Sequence, residues 1–246
     1  MIKFIVFNFN QVKKAYDIKA KKIAYIGANE GQEIEDLVST FNNSEIYLFE
    51  PQVEPFKKLI KKYDNWENLN FYNFGLGSEK KEVELYVNSN NNNMSSSVLK
   101  PKEHLRYHPG VEFGGKELIK IEKFSNLKIQ DINFLNLDVQ GYELEVLKGF
   151  EDYLMDVDYI ICEVNRKELY ENCVLVGELD KYLKGYNLLR VQTKWYEKTI
   201  PWGDAFYIRK SEISIGTIIF ATIKNFITNI RGYFFTLSIL KKINLI

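Results

Sequence analysis

The residues best suited to bind a ligand form a glycine-containing turn and an acidic residue that follows it. The turn, residues 26–31 (Ile-Gly-Ala-Asn-Glu-Gly), connects an apolar run to a helix-like stretch. Glycine there allows a sharp reversal and lets a ligand lie against the backbone. Glu50 follows Gly31 by 19 residues, at the end of the next apolar run, where a carboxylate is placed to bind ribose hydroxyls. Together they predict a site for a nucleoside-containing ligand.

The form of this glycine turn narrows the choice of ligand. It lacks the third glycine and the spacing of the fingerprint that binds the pyrophosphate of a dinucleotide. No Gly-Lys-Ser or Gly-Lys-Thr is present to cradle a nucleoside triphosphate. S-adenosylmethionine has no phosphate and is consistent with a looser turn, so this cofactor is favoured.

Asp138 is the leading candidate for acid–base chemistry. It ends the apolar run 134–137, at the position where ligands collect in open parallel sheets, and Gly141 follows to open the next helix. A carboxylate at this position could take a proton from a hydroxyl group. As an alternative, Asp138 could cap the N-terminus of that helix.

Three further carboxylates, Glu143, Glu163 and Asp204, are predicted near strand ends or just beyond them. Converging carboxylates could hold Mg²⁺, since hard cations prefer oxygen ligands. A metal is the less favoured alternative, and no metal ligand is assigned. Glu163 is a second candidate catalytic residue, although it could instead form an ion pair with Arg166 or Lys167.

The chain has two histidines, His104 and His108, which lie close together in a polar segment. Histidine exchanges protons near neutral pH, so His108 is a further candidate base. The favoured alternative is that both histidines decorate a flexible loop. Among the aromatic residues before the last predicted strand, Trp202 is predicted to pack in the core, and the role of Trp195 stays open.

These candidates require a sheet that brings strand ends together. Strand-like and helix-like stretches alternate from residue 22 onward. Strands are predicted at 22–26, 45–49, 68–74, 133–139, 158–164, 188–193 and 205–208, and helices at 30–41, 54–63, 142–150 and 174–183. This alternation predicts an α/β fold, with a mostly parallel sheet, helices on both faces and an antiparallel closing strand.

Two segments lie outside this alternation. Residues 88–115, here called the insertion, are rich in asparagine and serine, which is typical of a lid, a binding loop or disorder. The asparagines themselves are attributed to low-complexity drift. The second segment is the tail, residues 211–246, so a catalytic domain over 1–210 and a helical tail over 211–246 are predicted.

The tail has the pattern of an amphipathic helix. Apolar residues recur at three- and four-residue intervals from Ile215 to Leu237, and four basic residues accompany one acidic residue. A basic amphipathic helix can lie in a membrane interface. The alternatives are that this stripe packs against the domain or is buried in a homodimer.

The composition limits the classes of partner. The 246 residues include 33 basic and 33 acidic side chains, and this balance argues against a nucleic-acid partner. The two cysteines, Cys162 and Cys173, cannot form a disulfide framework, and no secretory signal is recognised. A cytoplasmic protein is expected, peripheral to a membrane if the tail binds one.

Five motifs, in order and spanning residues 22–209, resemble those of the FkbM family of class I S-adenosylmethionine-dependent methyltransferases, which methylate hydroxyl groups. The motifs are residues 26–31, 49–51, 73–77, 135–143 and 202–208. The resemblance implies a Rossmann-like class I methyltransferase fold. One departure is Tyr25, where the family often has an aspartate. Glu33 could compensate for it, or could be a surface residue that is favourable to the helix dipole.

The resemblance also implies roles for individual residues. Gly27, Ala28, Asn29 and Gly31 would pass beside the methionine part of the cofactor. Glu50 would hold the ribose, and Gly75 and Leu76 would lie near the adenine. Asp138 would face both the cofactor and the reacting centre.

The expected function is O-methylation of a hydroxyl on a sugar, a glycan or a related small molecule. The alternative is a non-catalytic module with the same fold that serves as a binding or scaffold partner. Nucleic-acid methylation is disfavoured by the neutral charge and by the lack of an Asn/Asp-Pro-Pro-Tyr/Phe motif.

Overall fold

The computed structural model describes residues 7–90, 94–196 and 201–223. The strands are β1 (Lys22–Ile26), β2 (Glu45–Phe49), β3 (Leu69–Tyr72), β4 (Gly75–Leu76), β5 (Lys81–Asn88), β6 (Phe113–Glu122), β7 (Phe134–Leu137), β8 (Tyr159–Asn165), β9 (Leu188–Trp195) and β10 (Trp202–Arg209). The α-helices with defined bounds are α1 (Phe9–Tyr16), α2 (Ile34–Thr40), α3 (Val53–Tyr63), α4 (His104–Tyr107), α5 (Glu143–Phe150) and α6 (Val176–Lys184).

Seven of these strands form one central sheet in the order β3-β2-β1-β7-β8-β10-β9. Strands β3, β2, β1, β7 and β8 are parallel, and β10 runs antiparallel to both of its neighbours. Strands β4, β6 and β5 form a second, smaller sheet. The predicted α/β fold with an antiparallel closing strand is confirmed.

Strand β1 shows why helices cover both faces of the large sheet. Successive side chains of a strand point to opposite faces, so Ile23 and Tyr25 pack with the buried residues of α1, α2 and α3. Ala24 and Ile26 pack with those of α5 and α6 on the other face. A strand that is buried on both sides must be apolar throughout, which explains the continuous apolar runs in the sequence.

Several element boundaries differ from the prediction for a local reason. The helix predicted at 30–41 begins only at Ile34, because residues 27–33 form the turn that precedes it. The strand predicted at 68–74 ends at Tyr72, and Gly75 and Leu76 pair instead with Ile121 and Glu122 in the small sheet. The last strand is longer than predicted.

The small sheet was not predicted, and it frames the insertion. Strands β5 and β6 form an antiparallel hairpin whose connection contains most of residues 88–115. Asn88 is fully buried at the end of β5, and its Nδ2 donates to Asn90 Oδ1 at 3.2 Å and to Glu112 O at 3.0 Å. These two asparagines therefore shape the hairpin connection, and low-complexity drift is the wrong interpretation for them. The asparagines at 91–93 lie outside the described residues.

The described part of the tail contains a helix at residues 215–223. Ala221 is buried against the face that carries α1, α2 and α3. The large apolar side chains Ile215, Ile219, Phe220 and Ile223 are exposed. The predicted stripe continues to Leu237, and residues 224–246 lie outside the described residues. No helix in the described ranges is long and apolar enough to cross a membrane.

Candidate active site

Three acidic residues from distant parts of the sequence meet at one edge of the large sheet. Leu137 of β7 pairs with Cys162 of β8, so Asp138 lies one residue beyond, beside Glu163. Glu163 pairs directly with Asp204 of β10. Because β10 runs antiparallel, its first residues lie at the carboxyl ends of β7 and β8. Side chains opposite each other in register share a face of the sheet, which places these three carboxylates together.

Gln140 bridges two of these carboxylates. Its Nε2 donates to Asp138 Oδ1 at 2.7 Å and to Glu163 Oε2 at 3.1 Å. Asp138 is accessible to solvent, yet the protein around it limits hydration of the carboxylate and raises its pKa. Desolvation, followed by the charges of Asp138, Glu143 and Asp204, raises the pKa of Glu163 well above its ordinary value. A carboxylate with a raised pKa is a better proton acceptor than one in free solution.

Asp138 does not cap a helix. Helix α5 begins at Glu143, its capping position is occupied by Tyr142, and no side chain caps it. The helix-cap alternative for Asp138 is therefore wrong. Glu143 is fully buried and its Oε1 accepts a hydrogen bond from Gly141 N at 3.0 Å. Burial raises the pKa of Glu143 to about 7.

The predicted alternative partners of Glu163 are engaged elsewhere. The guanidinium of Arg166 lies 3.5 Å from the centre of the Trp195 ring, which gives Trp195 a cation–π contact. Lys167 Nζ donates to Tyr107 Oη at 3.4 Å. Glu163 is instead bound by Gln140, an interaction that supports its predicted place in the site.

Asp204 is the most isolated of the three carboxylates. It is buried, and its Oδ2 has no hydrogen-bond partner within the described ranges. Burial raises its pKa well above the ordinary value, and Asp138 and Glu33 add to the shift, while a hydrogen bond from Tyr196 opposes it. Such a group is able to accept a hydrogen bond from a polar ligand.

The glycine turn lies directly against Asp138. Gly27 has a φ of +86°, a conformation that residues with a side chain rarely adopt. A Cβ at this position would collide with the Asp138 carbonyl oxygen. The turn is fixed to the end of β2, since Gly27 N and Ala28 N donate to Phe49 O at 2.9 and 3.0 Å. Glycine is therefore required for the close approach of β1 to the loop after β7.

Glu50 holds together two loops at the tip of β2. Its Oε2 accepts from Asn29 N at 2.8 Å and its Oε1 accepts from Gln52 N at 2.8 Å. The residue is buried, which raises its pKa to about 7 although both backbone bonds lower it. Each carboxylate oxygen has a second lone pair, so the group can also accept hydrogen bonds from two ligand hydroxyls.

The other predicted cofactor residues have clear packing roles. A Cβ on Gly31 would come within 2.7 Å of Leu59 and 2.6 Å of Tyr63, so this glycine allows α3 to pack against the turn. A Cβ on Gly75 would likewise come close to Ile121 and Pro51, so this glycine also allows close packing. Leu76 is buried in the core, on the face that carries α5 and α6. Their contribution to cofactor binding stays a prediction.

Tyr25 and Glu33 form a pair across the glycine turn. The Tyr25 hydroxyl donates to Glu33 Oε2 at 2.9 Å. Burial raises the pKa of Glu33 to about 7, while the bond from Tyr25 opposes this rise. Glu33 is half-buried and bound to Tyr25, so it is not a free surface residue, although it does lie at the capping position of α2, where a carboxylate is favourable to the helix dipole.

The two histidines lie in a packed aromatic layer and not on a flexible loop. His104 N donates to Leu169 O at 3.0 Å, its side chain is buried, and its ring lies 5.3 Å from Tyr170. The His108 ring lies 4.8 Å from His104 and 4.5 Å from Trp202. Burial lowers the pKa of His104 to about 4 and also lowers that of His108. Both rings are therefore neutral at pH 7.

Trp202 is buried in a small cluster with Leu169, Tyr170 and Cys173, which confirms its prediction as a core residue. One side of this cluster is the insertion, because Tyr107 and Phe113 pack against it. The layer therefore joins the insertion to the start of β10, next to Asp204.

Sequence reasoning missed two members of the site. Gln140 lies within the motif at residues 135–143, between Asp138 and Gly141. Its bridging role depends on Glu163, which belongs to β8 and is distant in sequence. Tyr170 carries no local signal, and only the fold places its hydroxyl 2.9 Å from Gln140 Oε1.

The charges at this edge favour a particular kind of ligand. The carboxyl groups with raised pKa values are Glu33, Glu50, Asp138, Glu143, Glu163 and Asp204. Burial and mutual repulsion both disfavour their charged forms, and a positively charged ligand would relieve that repulsion. In the described part of the chain, no three histidine, cysteine or acidic side chains are placed to hold a metal ion.

Comparison with known proteins identifies relatives. A model of the methyltransferase FkbM domain matches residues 26–188. The 2-O-methyltransferase NoeI of Sinorhizobium fredii is 21% identical over 173 residues, which cover 67% of this chain and 71% of that protein.

Two solved structures are also similar. The methyltransferase FkbM from Methylobacillus flagellatus has a TM-score of 0.52 at 13% identity, over 77% of this chain and only 43% of that chain. This likeness shows a shared fold. TrmK of M. capricolum, solved with S-adenosylhomocysteine, has a TM-score of 0.46 at 15% identity, over 84% of this chain and 69% of that chain.

Proposed function

The chain belongs to the FkbM family of S-adenosylmethionine-dependent methyltransferases, and we propose that it methylates a hydroxyl of a sugar, a glycan or a related small molecule. The observation that carries this proposal is the Asp138–Glu163 pair, which Gln140 joins beside the glycine turn. A protonated hydroxyl is a poor nucleophile, so a base at this position is what transfer to oxygen requires. The match to a protein named as a 2-O-methyltransferase supports oxygen as the acceptor atom.

The residues at the carboxyl edge fit S-adenosylmethionine. This cofactor supplies a methyl group that is already activated by a positively charged sulfur. Glu50 would accept hydrogen bonds from its ribose hydroxyls, and the backbone of Gly27, Ala28 and Asn29 would line its methionine part. The carboxylates suit its two positive charges, the sulfonium and the ammonium.

In the proposed reaction, Asp138 accepts the proton of the acceptor hydroxyl. The group is accessible, its pKa is raised, and Gln140 orients it. Glu163 lies beside it, and desolvation together with the charges of its acidic neighbours raises the pKa of Glu163 well above the ordinary value. Methyl transfer also requires the acceptor oxygen to lie in line behind the methyl group. The Asp138–Glu163 pair, which Gln140 holds in place, would help to keep the hydroxyl in that position.

The aromatic layer supports a sugar as the acceptor. The half-buried ring of His108 lies 4.5 Å from the buried ring of Trp202, which is on the same strand as Asp204, and Asp204 Oδ2 has no partner in the described residues. An apolar ring face beside hydrogen-bond acceptors suits the C–H face and the hydroxyls of a sugar. His108 is the alternative base, and its lowered pKa keeps it neutral and able to accept a proton.

The proposal is tested by methyl transfer from labelled S-adenosylmethionine to a panel of sugars, glycans and small hydroxylated molecules. We expect transfer to a hydroxyl, and we expect Asp138→Asn to reduce kcat about a hundredfold or more, as is usual for loss of a general base. Folding should be intact, since Asp138 caps no helix. Asp152→Asn, at an exposed position, is the matched control. Cofactor binding without any transfer would support a scaffold module instead.

A further inference from the structure

Gln140 is the centre of a hydrogen-bond chain that runs from the Asp138–Glu163 pair to the insertion. Its Oε1 accepts from the Tyr170 hydroxyl at 2.9 Å, and that hydroxyl also lies 3.0 Å from Ser95 O. Ser97 Oγ donates to the backbone oxygen of Gln140 at 2.8 Å. Both the side chain and the main chain of Gln140 are therefore held by residues outside its own loop.

The backbone of Gln140 depends on such support. Its φ is +52°, in the left-handed region that a residue with a side chain rarely adopts, and Gly141 follows with a φ of +99°. A conformation of this kind persists when the surrounding structure determines it. The supporting residues Ser95 and Ser97 are buried, and Tyr170 is fully buried, so the contacts are shielded from water.

The amide of Gln140 matches the groups around it. It has two N–H donors, and one carboxylate lies within reach of each. Its single oxygen faces the hydroxyl of Tyr170. A carboxylate in this place would repel the pair, and an apolar side chain would leave three polar groups without these bonds.

We propose that Gln140 is a positioning residue through which the insertion sets the orientation of the Asp138–Glu163 pair. This inference rests on the proposed function, in which Asp138 is the base. A hydrogen bond donated to a carboxylate favours its ionised form, so Gln140 lowers the pKa of both groups against the opposing effect of desolvation. The amide thus keeps Asp138 able to accept a proton at a lower pH than its surroundings alone would allow.

The test is the Gln140→Asn substitution. Asparagine tolerates the left-handed conformation but is one methylene shorter, so it cannot span the two carboxylates and Tyr170. We expect kcat to fall about tenfold to a hundredfold through misplacement of the base, with an unchanged Kd for S-adenosylmethionine by calorimetry. The acid limb of the kcat profile should move to higher pH by about one unit, because the pKa of Asp138 rises when its donor is lost.

The matched control is Gln130→Asn. Gln130 is exposed, and its Nε2 donates to Tyr153 Oη at 3.0 Å, away from the site. This variant should keep both the activity and the pH profile of the parent chain. A second variant, Tyr170→Phe, keeps the bond of Ser97 to the Gln140 backbone and removes the Tyr170 hydroxyl, with its bonds to Gln140 Oε1 and Ser95 O. It should shift the acid limb in the same direction by a smaller amount, whereas Tyr153→Phe should not.

Two outcomes would overturn the proposal. One is a parental pH profile in both Gln140→Asn and Tyr170→Phe. The other is a loss of activity that follows a loss of thermal stability with no shift of the acid limb, since that is the result of a purely structural role. Asp138→Asn is measured in parallel to separate the two ideas. If that variant stays active, the assigned base is wrong; if it is inactive while Gln140→Asn has the parental profile, only the positioning role is wrong.

Discussion

Gly27 and Asp138 approach each other so closely that no side chain can be placed at position 27. The first loop of the sheet and the loop that carries the proposed base are thus in direct contact. The same Gly27 N–H that binds Phe49 O connects this contact to β2 and to Glu50. The residues predicted to bind the cofactor and the proposed base are therefore connected by direct contacts at one corner of the sheet.

Substitution of Gly27 is expected to damage both stability and catalysis. Gly27→Ala must move the Asp138 backbone and strain a residue with a φ of +86°, so we expect a loss of about 1–3 kcal/mol in the free energy of unfolding. The activity should fall further than the stability explains. Gly177→Ala is the control, because a Cβ there meets nothing within 4 Å. Equal stability of the two variants in urea would contradict the close contact.

The ligand-free protein is expected to lose stability as the pH rises. Glu33, Glu50 and Glu143 have pKa values of about 7 in the folded state, against about 4.3 in an unfolded chain. Between these values the folded state binds more protons than the unfolded state, so the free energy of unfolding decreases with increasing pH. We expect the Tm to fall between about pH 5 and pH 8.

Glu143→Gln provides the matched comparison for this pH dependence. It removes one of the three carboxyl groups and should make the decline of Tm shallower. Saturating S-adenosylmethionine should also flatten it, because a cation favours the charged carboxylates. A Tm that rises across this pH range would show that these groups are not the ones that titrate.

Loss of the Glu50 carboxylate should weaken cofactor binding. Glu50→Ala removes the acceptor for the ribose hydroxyls, and we expect the affinity for S-adenosylmethionine to fall by about 1–3 kcal/mol in calorimetry. The variant also loses the bonds from Asn29 N and Gln52 N, so its Tm is measured alongside. Glu54→Ala, an exposed residue on the following helix, is the control. Unchanged affinity in Glu50→Ala would remove Glu50 from the cofactor site.

His108 is expected to act through its ring and not through its proton. His108→Phe keeps an aromatic ring against Trp202 and removes any proton transfer, so we expect kcat to stay within about threefold of the parent value, far from the loss of about a hundredfold that removal of a base causes. His108→Ala should raise the KM for the acceptor. A hundredfold loss of kcat in His108→Phe would make His108 the base in place of Asp138.

We expect the tail to bind anionic membranes. In the helix at residues 215–223 the apolar side chains of Ile219 and Phe220 are exposed, and the four basic residues of the tail all follow residue 223 in the sequence. An apolar stripe accompanied by basic residues suits an anionic lipid interface. A chain truncated after Lys210 should be monomeric, active and unable to bind phosphatidylglycerol vesicles in sedimentation. Phosphatidylcholine vesicles are the control.

A full-length variant separates membrane binding from a role of the tail in folding. Ile219→Gln together with Phe220→Gln keeps the buried Ala221 and should lose vesicle binding without a loss of Tm. If the truncated chain aggregates, or if the full-length parent is a dimer that dissociates in this variant, the stripe belongs to the core or to a homodimer.

The local parts of the candidate site can be predicted from the order of residues along the chain. The glycine turn at 26–31 and Glu50 could be recognised because strand, turn and helix are adjacent in the chain, and the apolar runs that precede them must be buried on both faces of a parallel sheet. The alternation of strands and helices was sufficient for the fold class. Asp138 was found in the same way, from an apolar run that ends in an acidic residue.

Which side chains share the candidate site depends on how distant strands pair. Glu163 and Asp204 become neighbours of Asp138 through the pairing of β7, β8 and β10, and register between distant strands has no local signature. The β5–β6 hairpin was also not predicted, because its strands contain charged residues and therefore show only a weak apolar pattern. The polar character of their segment predicts a flexible loop for the histidines, whereas the backbone bond of His104 to Leu169 and its ring contact with Tyr170 hold that segment against the domain and bury His104. Contacts between segments that are far apart in sequence thus determine the protonation and the chemistry of this site.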